Sequence, residues 1–206
     1  FAPLRAALVS AGEGTPIENV VANLEAPTPE GVALRERFVH ALALRNYEYN
    51  AAGGEMNQRY ESTAVIPDDA APEVFTRDRL LYLQQSTRPG AKLPHAWLID
   101  ERGHRISTLD LVGKGAFTVV TGLGGGAWER AVRSLDRPYL KAAVIGRVDT
   151  LDAMSEWYRL REIDEAGALL VRPDGYVAWR HMGAVWDDDT AHSLLSTALD
   201  TVLARH

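Results

Sequence analysis

The tripeptide Pro173-Asp174-Gly175 lies between two short β-rich runs, residues 168–172 and 176–180, and constrains the fold more than any other stretch of the chain. Proline presets the entry φ, aspartate bonds back to its own backbone, and glycine enters the left-handed region without steric cost. The two runs are therefore read as antiparallel neighbours joined by a three-residue turn, with Gly175 in the left-handed conformation. The C-terminal stretch beyond this hairpin is equally defined. Over residues 188–204, Ala191, Leu194, Leu195, Ala198, Leu199, Val202 and Leu203 recur at i, i+3, i+4 spacing opposite His192, Ser196 and Asp200, behind an acidic start at Asp187 to Asp189. That pattern is a helix with one face to bury.

Working upstream, the punctuation predicts a hairpin of residues 95–99 and 105–112 turning at Asp100 to Gly103. A strand at 117–121, a helix at 128–135, a strand at 141–148 and a helix at 151–163 come next, ahead of the final hairpin and helix. The order from residue 117 is βαβαββα. Two crossover units, a hairpin and a returning helix give a mixed sheet covered on both faces, which is the connectivity of the thioredoxin fold. The fold class is thus α/β, a thioredoxin-like mixed sheet preceded by a helical N-terminal segment.

That preceding segment reads as a short helix at 3–11, stopped by Gly12 and Gly14, and then a Pro-containing connection through Pro16 and Pro27. A longer helix has Thr28 as N-cap and Pro29 as first helical residue, and ends at Gly53 and Gly54. Residues 57–90 lose helical period and read as loop with a short strand at 63–66. The expected division is a helical and loop segment, 1–87, and a thioredoxin-like domain, 88–206.

Chemistry is constrained first by what is missing. The 206 residues contain no cysteine, so disulfide exchange, thiolate metal sites and thiol nucleophiles are excluded together. A net charge of −6, scattered along the chain, argues against nucleic acid. No apolar run is long enough to span a bilayer, and the first residues lack the pattern of a signal peptide, so a cytoplasmic location is expected, with neither membrane nor export. A start at Phe1, with the apolar stripe of Leu4, Ala7 and Leu8 just after it, reads as a chain beginning inside a larger gene product.

The turn Gly122-Leu123-Gly124-Gly125-Gly126-Ala127 occupies the strand-to-helix position where a thioredoxin carries its redox pair. Gly122, Gly124 and Ala127 match a loose G-x-G-x-x-A, with Asp149 farther on. The first reading is a tight turn; the alternative is a phosphate or nucleotide cradle using Gly122, Gly124, Gly125 and Gly126. No metal site is expected from six dispersed histidines, and Asp187 to Asp189 are read as helix-start acids rather than cation ligands. Ser107 and Ser134 have no base at a motif spacing. The five tryptophans are read as core residues with an interfacial subset, and Arg172 and Arg180, which flank Asp174, as ordinary strand-end ion pairs. No catalytic residue is assigned.

Several strings carry a family resemblance: Asn46-Tyr47-Glu48-Tyr49-Asn50, Glu55-Met56-Asn57-Gln58-Arg59-Tyr60, the run from Arg88-Pro89-Gly90 to Leu93-Pro94-His95-Ala96-Trp97-Leu98, Ser107-Thr108-Leu109-Asp110-Leu111, and Val171-Arg172-Pro173-Asp174-Gly175 to Trp179-Arg180. In this order and separation they resemble the C-terminal part of phenol 2-monooxygenase and 2,4-dichlorophenol 6-monooxygenase type flavoproteins. The resemblance implies a parent enzyme in which NAD(P)H reduces FAD, oxygen forms a flavin hydroperoxide, and an aromatic ring is hydroxylated. It also implies that the flavin motifs lie upstream, so no cofactor is expected within this chain. The module's implied role is packing on the parent FAD and substrate domains, with subunit contact. The helices through Tyr60 are expected to pack on the sheet domain or on a second copy, as a homodimer.

Overall fold

The computed structural model describes residues 17–204. The helix expected at 3–11 lies outside the described residues. Two compact units are present: residues up to Glu55 together with Arg77–Leu83, and Met56–Thr76 together with the chain from Gln84 onward.

The first unit is a helical hairpin. Helix α1 (Ile17–Glu25) forms where a connection was expected. Its Val20 and Leu24 meet Leu34 of α2 (Pro29–Tyr49), an apolar pairing across Pro27 that local punctuation does not reveal. Thr28 caps α2 as expected, its hydroxyl accepting from Gly31 N at 3.1 Å with Pro29 at the first position. Arg35 donates to the carbonyls of Leu24 and Ala26 at 2.6 and 3.0 Å and so satisfies the end of α1. The helix stops at Tyr49 rather than at the glycine pair, and Gly53 and Gly54 fall inside a short helix, α3 (Ala52–Met56). Asp78 closes this unit, accepting from the Tyr47 hydroxyl at 2.6 Å and from Leu80 and Leu81 N.

The second unit holds the sheet. A small hairpin pairs β1 (Trp97–Ile99) with β2 (Arg105–Ser107). The strand expected through Val112 ends early, because Ser107 caps a 3-10 turn over Thr108–Leu111. The main sheet contains β3 (Phe117–Gly122), β4 (Leu140–Ile145), β5 (Ala168–Val171) and β6 (Val177–His181) in the order β4-β3-β5-β6. Strand β3 is parallel to β4 and antiparallel to β5, and β5 is antiparallel to β6. With α4 (Gly126–Leu135), α5 (Glu156–Leu160) and α6 (Asp188–Val202), this is the expected βαβαββα connectivity. Gly175 has φ +85°, with Gly175 N on Arg172 O at 2.9 Å, as the turn chemistry requires.

Alternation along the strands splits the core into two layers. Val119, Leu170 and Ala178 meet Trp128 and Ala131 of α4 and Leu195, Ala198 and Leu199 of α6. Val120, Leu169, Val171 and Val177 face the other way, onto Leu98, Val112 and Trp157. Helix α5 is far shorter than the expected 151–163. Leu151 instead pairs with Ile99 through both backbone groups at 2.9 Å, extending the small hairpin, and Asp152 accepts from Glu156 and Tyr158 N to start the helix late. No strand forms at 63–66; Ile66 N makes a single bond to Ala178 O at 2.7 Å.

Candidate functional site

The glycine turn lies where β3 runs into α4, and each of its glycines meets a neighbour. A Cβ on Gly122 would stand 2.6 Å from the Glu165 carbonyl oxygen, and one on Gly125 would overlap the side chain of Thr121. On Gly124 it would press on Ala166 and on the Trp186 ring at 3.2 and 3.3 Å. The turn is further closed by Gly125 N on Gly122 O and Gly122 N on Glu165 O, both 3.0 Å. Trp128, fully buried in the first turn of α4, donates its indole N–H to Ala166 O at 2.8 Å. These glycines allow a helix start to nest against the loop that enters β5, a close-packing role that needs no ligand.

Two motif strings prove to be one interlocked structure. Ala96 N donates to Thr108 Oγ1 at 3.0 Å, Thr108 Oγ1 donates to Pro94 O at 2.6 Å, and Thr108 N donates to Ala96 O at 3.0 Å. His95 Nδ1 lies 2.7 Å from Ser107 Oγ, so Ser107 does have an imidazole partner, brought from 12 residues away by strand pairing rather than by motif spacing. The same oxygen accepts from Leu109 N, while Asp110 accepts from Ser107 N, a reciprocal cap. Ser107 thereby terminates a strand. Ser134 is exposed on α4.

At the start of α6, Asp187 accepts from Thr190 N at 2.7 Å and Asp188 forms a bidentate pair with Arg130, so the acidic run caps and braces the helix. No group of three metal-ligating side chains occurs among the described residues. Of the tryptophans, Trp128 and Trp157 are core and Trp186 is 69% exposed. Arg172 pairs with Asp174 at 2.6 Å as expected of a strand end.

Arg180 does something the sequence did not disclose. Its side chain, 3% exposed, binds Asp68 through Nε and approaches Glu162 at 3.2 Å and Thr87 Oγ1 at 3.3 Å. Glu162 in turn accepts from Ser86 Oγ, Thr87 N and Thr87 Oγ1. A buried guanidinium with two carboxylates ties the 56–92 segment to β6 and to the loop that enters β5; partners 112 and 18 residues away leave no local pattern to read.

This connectivity, without the thiol pair, defines a thioredoxin-like α/β module whose helix-start turn is filled by its own neighbours. The chain belongs to the aromatic-ring hydroxylase family, whose C-terminal domain matches residues 86–205. It is 44% identical to 2,4-dichlorophenol 6-monooxygenase of Cupriavidus pinatubonensis (strain JMP 134 / LMG 1197) over 87% of this chain and 31% of that protein. It is also 44% identical to phenol 2-monooxygenase of Pseudomonas sp. (strain EST1001) over 80% of this chain and 28% of that protein. Among solved structures, the flavin-dependent monooxygenase PieE in complex with FAD and substrate superposes with a TM-score of 0.76 at 37% identity, over 97% of this chain and 35% of PieE. The chain thus spans about a third of the length of the relatives it matches. Within the described residues, no helix is long and apolar enough to cross a membrane.

Proposed function

We propose that this chain is the C-terminal association module of an FAD-dependent, NAD(P)H-using aromatic-ring hydroxylase of the cytoplasm, and that flavin, nicotinamide and substrate are held by polypeptide preceding it. The observation that carries this reading is the pairing of high identity across nearly all of this chain with coverage of under a third of the relative. The glycine turn, the loop with a nucleotide-like pattern, does not fit a flavin: it has Glu165, Thr121 and Trp186 where a cradle would need open backbone. Nucleotide binding at Gly122, Gly124, Gly125 and Gly126 therefore has less support than packing.

An association role is supported by apolar surface. Leu123 and Trp186 project from the end of the sheet, and α2 shows Val32 and Val39 on the side opposite its buried Leu34 and Ala41. The parent's FAD and substrate domains, or a second copy, are the partners in this reading. Supplying the purified chain with FAD, NADH or NADPH, oxygen and a phenol should consume no reduced nicotinamide above a protein-free control; turnover would overturn the assignment.

A further inference from the structure

Residues 59–73, with Arg88 and Pro89, line a solvent-open cavity of about 540 Å³ that the proposed role does not use. This is the size range of sites that hold a small organic molecule. Its walls include the Tyr60 ring, Val65, Pro67 and Pro89, and Tyr60 is held edge-on against Tyr176 with centroids 4.6 Å apart.

The charges around the cavity are unequal in what they have left to offer. Arg59 is committed: it grips both oxygens of Glu73 at 2.7 Å and donates also to Gln84 O and Gln58 O at 3.0 and 3.1 Å. Glu73 accepts in addition from Gln84 Nε2 at 2.9 Å, and Asp68 is bound to Arg180. Arg88 also borders the cavity and feels Glu73 at long range, yet its guanidinium makes no ion pair or side-chain hydrogen bond among the described residues. Of the two guanidiniums, Arg59 alone thus takes up Glu73, and Arg88 keeps its donors. A planar fork with free N–H groups beside flat apolar walls is suited to a carboxylate on a ring. With Asp68 and Glu73 already paired, Arg88 sets one positive charge against Glu61 on the same lining, too little to hold the multiple charges of phosphate or a nucleotide.

We propose that this cavity binds an aromatic monoanion of the aryl carboxylate class, its carboxylate on Arg88 and its ring against Tyr60, Pro67 and Pro89. The test uses the whole 206-residue chain, backbone amide signals, and three probes: benzoate, its neutral counterpart benzyl alcohol, and inorganic phosphate. Benzoate should shift the signals of Tyr60, Val65 and Ala70 saturably, benzyl alcohol should bind at least tenfold more weakly, and phosphate should leave these signals in place. Arg88→Gln should weaken benzoate at least tenfold, the loss expected for one charged hydrogen bond, while exposed Arg102→Gln should not. Unmoved Val119 and Leu169 signals report that the fold is intact. Lack of saturation by benzoate, equal response to phosphate, or full binding by Arg88→Gln would each overturn the proposal. If Arg88→Gln fails to fold, equal affinity of the native chain for benzoate and benzyl alcohol does so.

Discussion

Replacing Gly125 with alanine separates the two readings of the glycine turn. Gly125 has φ −84° and ψ 28°, close to the bridge region that non-glycine residues also occupy, so the substitution carries little backbone penalty and crowding dominates. The new methyl would sit closest to Thr121 Oγ1, 2.6 Å from Thr121 Cγ2 and 2.7 Å from its Cβ. That hydroxyl is buried and donates to Gly167 O at 2.6 Å, so it cannot move without breaking its bond. Overpacking costs about 1–3 kcal/mol, and stranding a buried carbonyl costs about 1–3 kcal/mol more. Together they predict a loss on the order of 2–6 kcal/mol, read as a lower urea midpoint by tryptophan fluorescence with the slope unchanged. Gly103→Ala is the matched control, since Gly103 has φ +82° and open space around it and should lose only about 1–2 kcal/mol to the left-handed backbone. In a double variant with Thr121→Ala the two losses should sum to less than their separate values. If Gly125→Ala lost less than Gly103→Ala, close packing would not be why glycine stands there, and a role in ligand approach would regain support.

Arg180→Met should cost about 3 kcal/mol in the same urea assay, toward the low end for a broken buried pair because the Glu162 side chain, 42% exposed, can rehydrate; a loss under about 1 kcal/mol would contradict the tie described here. Asp187→Ala removes the α6 cap and should cost about 1 kcal/mol, with faster amide exchange confined to the first turn. Burial pushes the Glu73 carboxyl upward, but hydrogen bonds from Arg59 and Gln84 and the nearby charges of Arg59 and Arg88 hold it below the usual glutamate range. Its contribution is therefore complete above the unfolded-state value and lost as pH falls through the lowered one, so Glu73→Gln should flatten the acid limb of a stability–pH curve. Burial lowers the His181 imidazole, 5.7 Å from the Trp128 ring, so this group stabilises the fold above the ordinary histidine value and loses that contribution as pH falls toward its own. His181→Gln should abolish a corresponding step in tryptophan emission.

Where one residue's conformation carried the information, the sequence was readable. Pro173-Asp174-Gly175 specified a turn and its φ, Thr28 and Asp187 marked helix starts, and the spacing from Ala191 to Val202 named the buried face of α6. Elements settled by distant partners were misread. Residues 151–163 have helical spacing, but Leu151 gains more from pairing with Ile99 than from continuing a helix, and Ser155 at φ +53° interrupts the run. Likewise α1 exists because Val20 and Leu24 find Leu34, which no rule of punctuation anticipates. The glycine turn was located correctly from sequence, but its occupants, Glu165 and Trp186, come from two other connections. The Arg180 tie was invisible because its partners are far apart in sequence, and the Arg88 cavity because its lining lies on a segment with no regular period.

Strand β6 is one edge of the sheet, and the chain seals that margin with its own irregular stretch: Gly90 N and Ala91 O bond to Val177, and Ile66 N bonds to Ala178. A recombinant piece trimmed at the domain limit, residue 86, would keep the first of these closures but lose the second along with Asp68. The bared part of β6 would then offer the unpaired Ala178 carbonyl to any passing strand, so such a trimmed piece should be prone to polymerise.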